Sequence, residues 1–202
     1  TNFKASNYSI TKNEGKLSIT ASTEKVVVTI TGNKENELYD GTEKTAKGYT
    51  VNTNNKLYTE ADFKFSGTAK ANGTDAGTYN MGLAANQFEN ANSNFANVEF
   101  SVTDGKLMIN PRTVVLTSEG GSKPYDGTAL KKPDVTVTGD GFVAGEVTDV
   151  KATGSVRYVS EGEVINTIVY TAGDNFKESN YSITKNEGKL SITASTEKVV
   201  VT

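Results

Sequence analysis

The first residues whose types and spacing invite a chemical reading are two copies of one tetrapeptide, Tyr39-Asp40-Gly41-Thr42 and Tyr125-Asp126-Gly127-Thr128. Each puts a phenol, a carboxylate and a hydroxyl within four residues. The same residue types favour a turn over a reactive site. Asp caps backbone N–H groups through its side chain, Gly supplies positive φ, and Tyr packs its ring on a core. Cation binding is the second chemistry to weigh. Asp140, Glu146 and Asp149 lie within ten residues, and Asn33, Glu35, Glu37 and Asp40 form another polar cluster. Calcium takes about six to eight oxygens from a shaped loop, and the chain has no D-x-[DN]-x-[DN]-G run. Solvated polar loops are therefore expected, with Asp140, Glu146 and Asp149 as the candidate metal ligands. A third chemistry is an intramolecular isopeptide bond between Lys25 and Asn110. It needs a buried carboxylic acid between the partners, with its pKa raised by burial. Lysines at strand ends are ordinarily solvated.

Other chemistry is closed off by composition. The chain has no histidine and no cysteine. It therefore lacks the commonest general base, the usual zinc ligands, thiol nucleophiles and disulfides. A nucleophile would have to be Ser or Thr activated by Lys, or a carboxylate pair would be needed. No spacing isolates either, so a non-enzymatic protein with no cofactor is expected. Twenty-one basic and 24 acidic residues give a net charge of −3, which offers nucleic acid no basic face. No apolar run approaches the roughly 20 residues of a membrane helix, so no membrane insertion is expected of this segment.

The elements that position these residues are repeated. Asn2–Thr29 recurs as Asn175–Thr202 with one change, Ala5 against Glu178, at an offset of 173 residues. Near-identity at that length marks one period of a tandem array. A fainter repeat lies inside the period, because the two tetrapeptides are 86 residues apart. Each follows a β-branched run, Val26–Ile30 and Thr113–Thr117. Each unit closes alike, with Asn97–Val102 then Asp104–Ile109, and with Asn180–Thr184 then Gly188–Ile192. The period thus holds two diverged modules. Residues 1–23 read as the closing hairpin of a preceding B-type module, 24–111 as an A-type module and 112–195 as a B-type module. Residues 196–202 read as the first strand of the next A. The joints, Asn110-Pro111-Arg112 and Ala194-Ser195-Thr196, are too short to behave as flexible linkers.

Period-2 alternation predicts an all-β, mostly antiparallel fold, β-grasp-like or sandwich-like, with modules end to end as a rod. Tyr181–Thr184 and Lys189–Thr193 read as a terminal hairpin. Phe63–Phe65, Thr78–Met81, Val135–Thr138 and Val164–Tyr170 read as further strands. Thr59–Asp62 has the spacing for one short helical turn.

The order and spacing of these motifs resemble the MBG/YDG-type repeat domains of bacterial surface proteins. In the second module the resemblance rests on Thr113–Thr117, Lys123–Thr128, Val137–Val143, Gly145-Glu146, Thr153–Ser155, Asn166–Ile168 and the closing Asn180–Ile183 with Gly188–Leu190. In the first it rests on Tyr39–Thr42, Asp75–Tyr79 and Asn97–Ile109. The resemblance implies a large, secreted, wall-associated protein of a Gram-positive bacterium, and it carries no catalytic residues.

Three roles follow as expectations. The first is a stalk or fibre segment whose partners are adjacent copies, head to tail. The second is a multivalent adhesin module for host glycan, mucin or a surface protein. Its candidate aromatics are Tyr49, Tyr58, Phe88, Phe95, Tyr158 and Phe176. Clustering on one face would favour binding, and scattered burial the stalk. The third is a filament built by strand completion at the chain ends.

Overall fold

In a computed structural model, residues 2–198 are described, and they are all-β apart from five single turns of 3-10 helix. Twenty strands follow in order. The first ten are β1 (Val26–Gly32), β2 (Lys34–Leu38), β3 (Lys44–Lys47), β4 (Tyr49–Thr53), β5 (Phe63–Phe65), β6 (Lys70–Gly73), β7 (Gly77–Asn80), β8 (Phe88–Asn90), β9 (Val98–Thr103) and β10 (Lys106–Asn110). The next ten are β11 (Arg112–Ser118), β12 (Gly121–Pro124), β13 (Leu130–Lys131), β14 (Val135–Gly139), β15 (Val147–Ala152), β16 (Ser155–Val156), β17 (Val164–Ile165), β18 (Ile168–Ala172), β19 (Tyr181–Asn186) and β20 (Lys189–Thr193).

The second set repeats the pairing of the first, strand for strand. The sheets β4-β1-β9, β2-β10-β7, β3-β6 and β5-β8 have as counterparts β14-β11-β19, β12-β20-β17, β13-β16 and β15-β18. Most pairs are antiparallel, but β10–β2, β11–β19 and β12–β20 are parallel. Alternation sets the buried face. Val26, Val28 and Ile30 of β1 are fully buried, as are Val114 and Leu116 of β11.

Contacts divide the chain into two compact units. One comprises Thr1–Ile30, Val51–Gly67 and Ala84–Val102, and the other Thr31–Thr50, Thr68–Leu83 and Thr103–Thr202. The first has an aromatic core, with Phe63 edge-on to Phe88 and Phe100 and with Tyr58 edge-on to Phe95. The second contains an aliphatic cluster in which Val156, Leu190 and Ile192 pack together, flanked by Leu130 and Val164. The division does not fall at Asn110-Pro111-Arg112, and the second unit carries both sides of that joint.

Two expectations are corrected. Tyr181–Thr184 and Lys189–Thr193 are strands but not a hairpin. β19 pairs with β11 in one sheet, while β20 pairs with β12 and β17 in another. Residues 2–23 hold one 3-10 turn and an isolated bridge from Ser22 to Phe95. Val164–Tyr170 is broken at Asn166, whose side chain serves three other segments. Its Oδ1 accepts the Gly154 N–H at 2.9 Å, and its Nδ2 donates to the carbonyls of Glu119 and Lys132. The short turn after Thr59 is present as Glu60–Asp62. The strand expected at 196–202 falls largely on 199–202, outside the described residues.

The step between the last two strands is steric in both halves. A Cβ on Gly105 would lie 2.6 Å from the Asn33 carbonyl oxygen, and one on Gly188 would lie 2.3 Å from the Gly120 nitrogen. At Gly188 all the nearest atoms are backbone, so no side chain can yield. Gly188→Ala is expected to lower stability by about 2 kcal/mol, the scale of overpacking a tight core. A urea midpoint within error of the parent would show that the two loops separate freely.

Candidate functional site

Local turn chemistry is the same in both tetrapeptides. Asp40 Oδ1 accepts the Thr42 N–H at 2.9 Å and its hydroxyl at 2.6 Å, and Gly41 has φ of 81°. Asp126 Oδ1 accepts the Thr128 N–H at 2.9 Å and its hydroxyl at 2.8 Å, and Gly127 has φ of 79°. Lys44 reaches Asp40 and Lys123 reaches Asp126. These lysines, with the threonine donors, hold both carboxyls well below the usual carboxylate range. The backbone is tied back to each closing strand. Tyr39 N–H donates to the Asn110 carbonyl at 2.9 Å, and Tyr125 N–H donates to the Thr193 carbonyl at 2.8 Å.

The two tyrosines differ in what their rings meet. Tyr39 is 3 % exposed and Tyr125 is 40 % exposed. Tyr39 Oη donates to Glu146 Oε1 at 2.6 Å, and Tyr181 Oη donates to Glu146 Oε2 at 2.7 Å. Glu146 is buried, so its two oxygens have exchanged water for two phenols. Tyr181 Oη also accepts the Val143 N–H at 3.0 Å, and its ring stands edge-on to Tyr39. Phe142 and Phe176 pack on Tyr181 from the other side. Burial, then the Glu146 hydrogen bond, raises the Tyr39 phenol from 10.0 to about 12 and pushes Tyr181 up as well.

Further bonds surround this clamp. Asn180 is fully buried. Its Oδ1 accepts the Ala76 N–H at 2.7 Å, and its Nδ2 donates to Asp75 Oδ1 at 3.0 Å. Lys177 pairs with Asp75 at 2.6 Å on the exposed rim. Arg112 donates to the carbonyls of Tyr39, Asp140 and Gly141. Beside the clamp lies an open cleft of about 520 Å³ lined by Asp40, Asp75, Val143, Asp174 and Lys177 among others.

The candidate cation ligands are not brought together, and among the described residues no three acidic side chains converge. Asp140 instead caps the start of β11, accepting the Thr113 N–H at 2.8 Å and its hydroxyl at 2.7 Å. Glu146 is taken up by the two tyrosines. Asp149 sits at the bulge of β15 with φ of 52°, a conformation that Asp tolerates better than most residues. In the other cluster, Asn33 donates to the Lys47 carbonyl, and Glu35 and Glu37 lie on the exposed strand β2.

The two candidates for an isopeptide bond have other partners. Lys25 is half-exposed and paired with Glu99 at 2.5 Å, while the Asn110 amide donates to Asn36 and the Glu37 carbonyl. Neither side chain has the buried acid that the reaction requires. Among the candidate sugar platforms, Tyr58, Phe88 and Phe95 are buried and Tyr49 and Phe176 are half-buried, which leaves Tyr158 exposed. The clamp itself was not legible as a unit, because Tyr39, Glu146 and Tyr181 share no spacing rule. The only trace was that Glu146 lies in a motif ending next to a strand.

Residues 24–111 match the family model described as the MBG domain. No curated protein and no solved structure matches the chain.

Proposed function

We propose, on the premise of the match of residues 24–111 to the MBG domain model, that the chain is a length-adding segment of a surface stalk. The observation that carries this reading is the clamp at the Asn110-Pro111-Arg112 joint. Tyr39 and Asp75 precede the joint, whereas Glu146, Asn180 and Tyr181 follow it. Bending there would break the buried Tyr39–Glu146 hydrogen bond together with the part-buried bonds of Asn180 to Ala76 and Asp75, and each buried polar group left unpaired costs about 1–3 kcal/mol. A thread of modules joined this way gains reach without a ligand, and near-identical copies allow its length to change by recombination.

In this role the protein is non-enzymatic and extracellular, attached at the cell surface, and its partners are adjacent copies of itself. The expected advance is roughly 60–80 Å per 173-residue period, from the usual size of modules this long. Small-angle scattering on chains of one, two and three periods, at several concentrations, tests it. A maximum dimension that rises by a constant step supports the stalk. A step that shrinks as periods are added would overturn it and turn attention to multivalent binding of glycan or a surface protein.

A further inference from the structure

The B-type half repeats the exit geometry of the A-type half, but its exit face is uncovered. Tyr125 occupies the β12–β13 loop as Tyr39 occupies the β2–β3 loop, and both are tied to the closing strand. Tyr158 lies between β16 and β17 as Asp75 lies between β6 and β7. Where Tyr39 and Asp75 are engaged across the joint, Tyr125 and Tyr158 stack on each other with ring centroids 6.3 Å apart. Arg157 lies over the Tyr158 ring and donates to the Gly127 carbonyl, which fixes the pair in place. Val159 beside them is exposed. Tyr125, Tyr158 and Val159 are 40 %, 48 % and 49 % exposed, and a stacked tyrosine pair beside an exposed valine suits a contact surface.

We propose that the face formed by Tyr125, Tyr158 and Val159 docks the following copy of residues 24–111, which meets it with the loop carrying Leu57. This rests on the stalk reading above. Two observations select that occupant. Thr196–Thr202 repeats Thr23–Thr29 residue for residue, so what continues from the B-type half is the opening of another A-type half. The loop of an A-type half equivalent to the one bearing Glu146 joins β4 to β5. Leu57 in that loop is 79 % exposed, more than any other large hydrophobic side chain between residues 26 and 198.

The polar clamp cannot be rebuilt at this second joint. The place of Tyr181, the first residue of its strand, is taken by Val98, which has no hydroxyl. The place of Glu146, just before its strand, is taken by Asp62. That carboxylate already accepts the Thr59 N–H and hydroxyl and an Asn92 amide proton. The second joint is therefore an apolar contact, and the array alternates a hydrogen-bonded joint with a hydrophobic one. Head-to-tail contacts of this kind extend without closing.

The test uses the 202-residue chain and a chain lengthened by one further 173-residue period. Both are treated with tetranitromethane, and nitration is read by peptide mass. In the longer chain one of two Tyr125 copies is covered, so nitration per copy of Tyr125 and Tyr158 is expected to fall about twofold. Leu57→Lys in the second period is expected to restore it, with an unchanged circular dichroism spectrum because Leu57 faces solvent. Equal nitration per copy at both lengths overturns the docking surface. Tyr39 in the same digest separates the two ideas. If it stays unreacted while Tyr125 is unchanged, only this inference fails. If Tyr39 also reacts, the clamp and the stalk reading fail with it.

Discussion

Replacing Glu146 by Ala is expected to lower the unfolding free energy by about 3 kcal/mol, the scale of breaking a buried charged interaction. Two buried phenol hydroxyls lose their acceptor, and the missing side chain leaves a void beside the rings. Part of this loss is offset because the carboxylate no longer has to be desolvated. At roughly 2–4 °C per kcal/mol for a chain of this size, the transition should drop by about 6–12 °C. Glu146→Gln separates charge from shape. It keeps the volume and one acceptor oxygen, so its cost should be about 1 kcal/mol, near that of a single hydrogen bond. Thermal unfolding followed by near-ultraviolet circular dichroism reports on the buried tyrosines directly. An Ala variant as stable as the parent would mean that the two phenols find other partners, and the joint would then owe nothing to the clamp.

Alkali is expected to unfold the protein through the same group of residues. Tyr39 ionises at about 12 in the folded state against 10.0 for the free side chain, because of burial first and Glu146 second. Tyr181 is shifted in the same direction for the same reasons. A phenol whose folded pKa is raised favours folding fully below pH 10 and loses that contribution as pH climbs through the folded value. Between pH 10 and 12 the unfolded chain releases protons that the folded chain retains. At 1.36 kcal/mol per pH unit, Tyr39 alone contributes about 3 kcal/mol across that window. Phenolate absorbance of Tyr39 and Tyr181 should therefore appear together with loss of structure. With Glu146→Gln, the part due to the carboxylate disappears while the part due to burial stays, so ionisation should begin at lower pH. Complete phenol ionisation in the folded protein below pH 11 would contradict the clamp as described.

The distance from sequence to site was short for the turns and long for the clamp. An Asp two residues before a Thr, with Gly between, determines its own hydrogen bonds, and both tetrapeptides adopt the same turn. Strand identity was legible for the same local reason, since alternation in Val26–Ile30 or Lys189–Thr193 needs only a buried face and an exposed one. The function of Glu146 was not legible. Its composition suited a cation loop, and only the arrival of Tyr39 from 107 residues earlier and Tyr181 from 35 residues later gives it another role. Asn166 is similar, because nothing in its neighbourhood announces that its side chain will bridge three segments.

The sequence by itself determined the all-β class, the near-identity of Asn2–Thr29 and Asn175–Thr202 and the turn chemistry. These depend on side-chain types and on contacts within a few residues. Tertiary structure decided which strands pair and which carboxylate is buried. An isolated strand satisfies neither its backbone groups nor its apolar face, and the closing strands β19 and β20 find both at β11, β12 and β17.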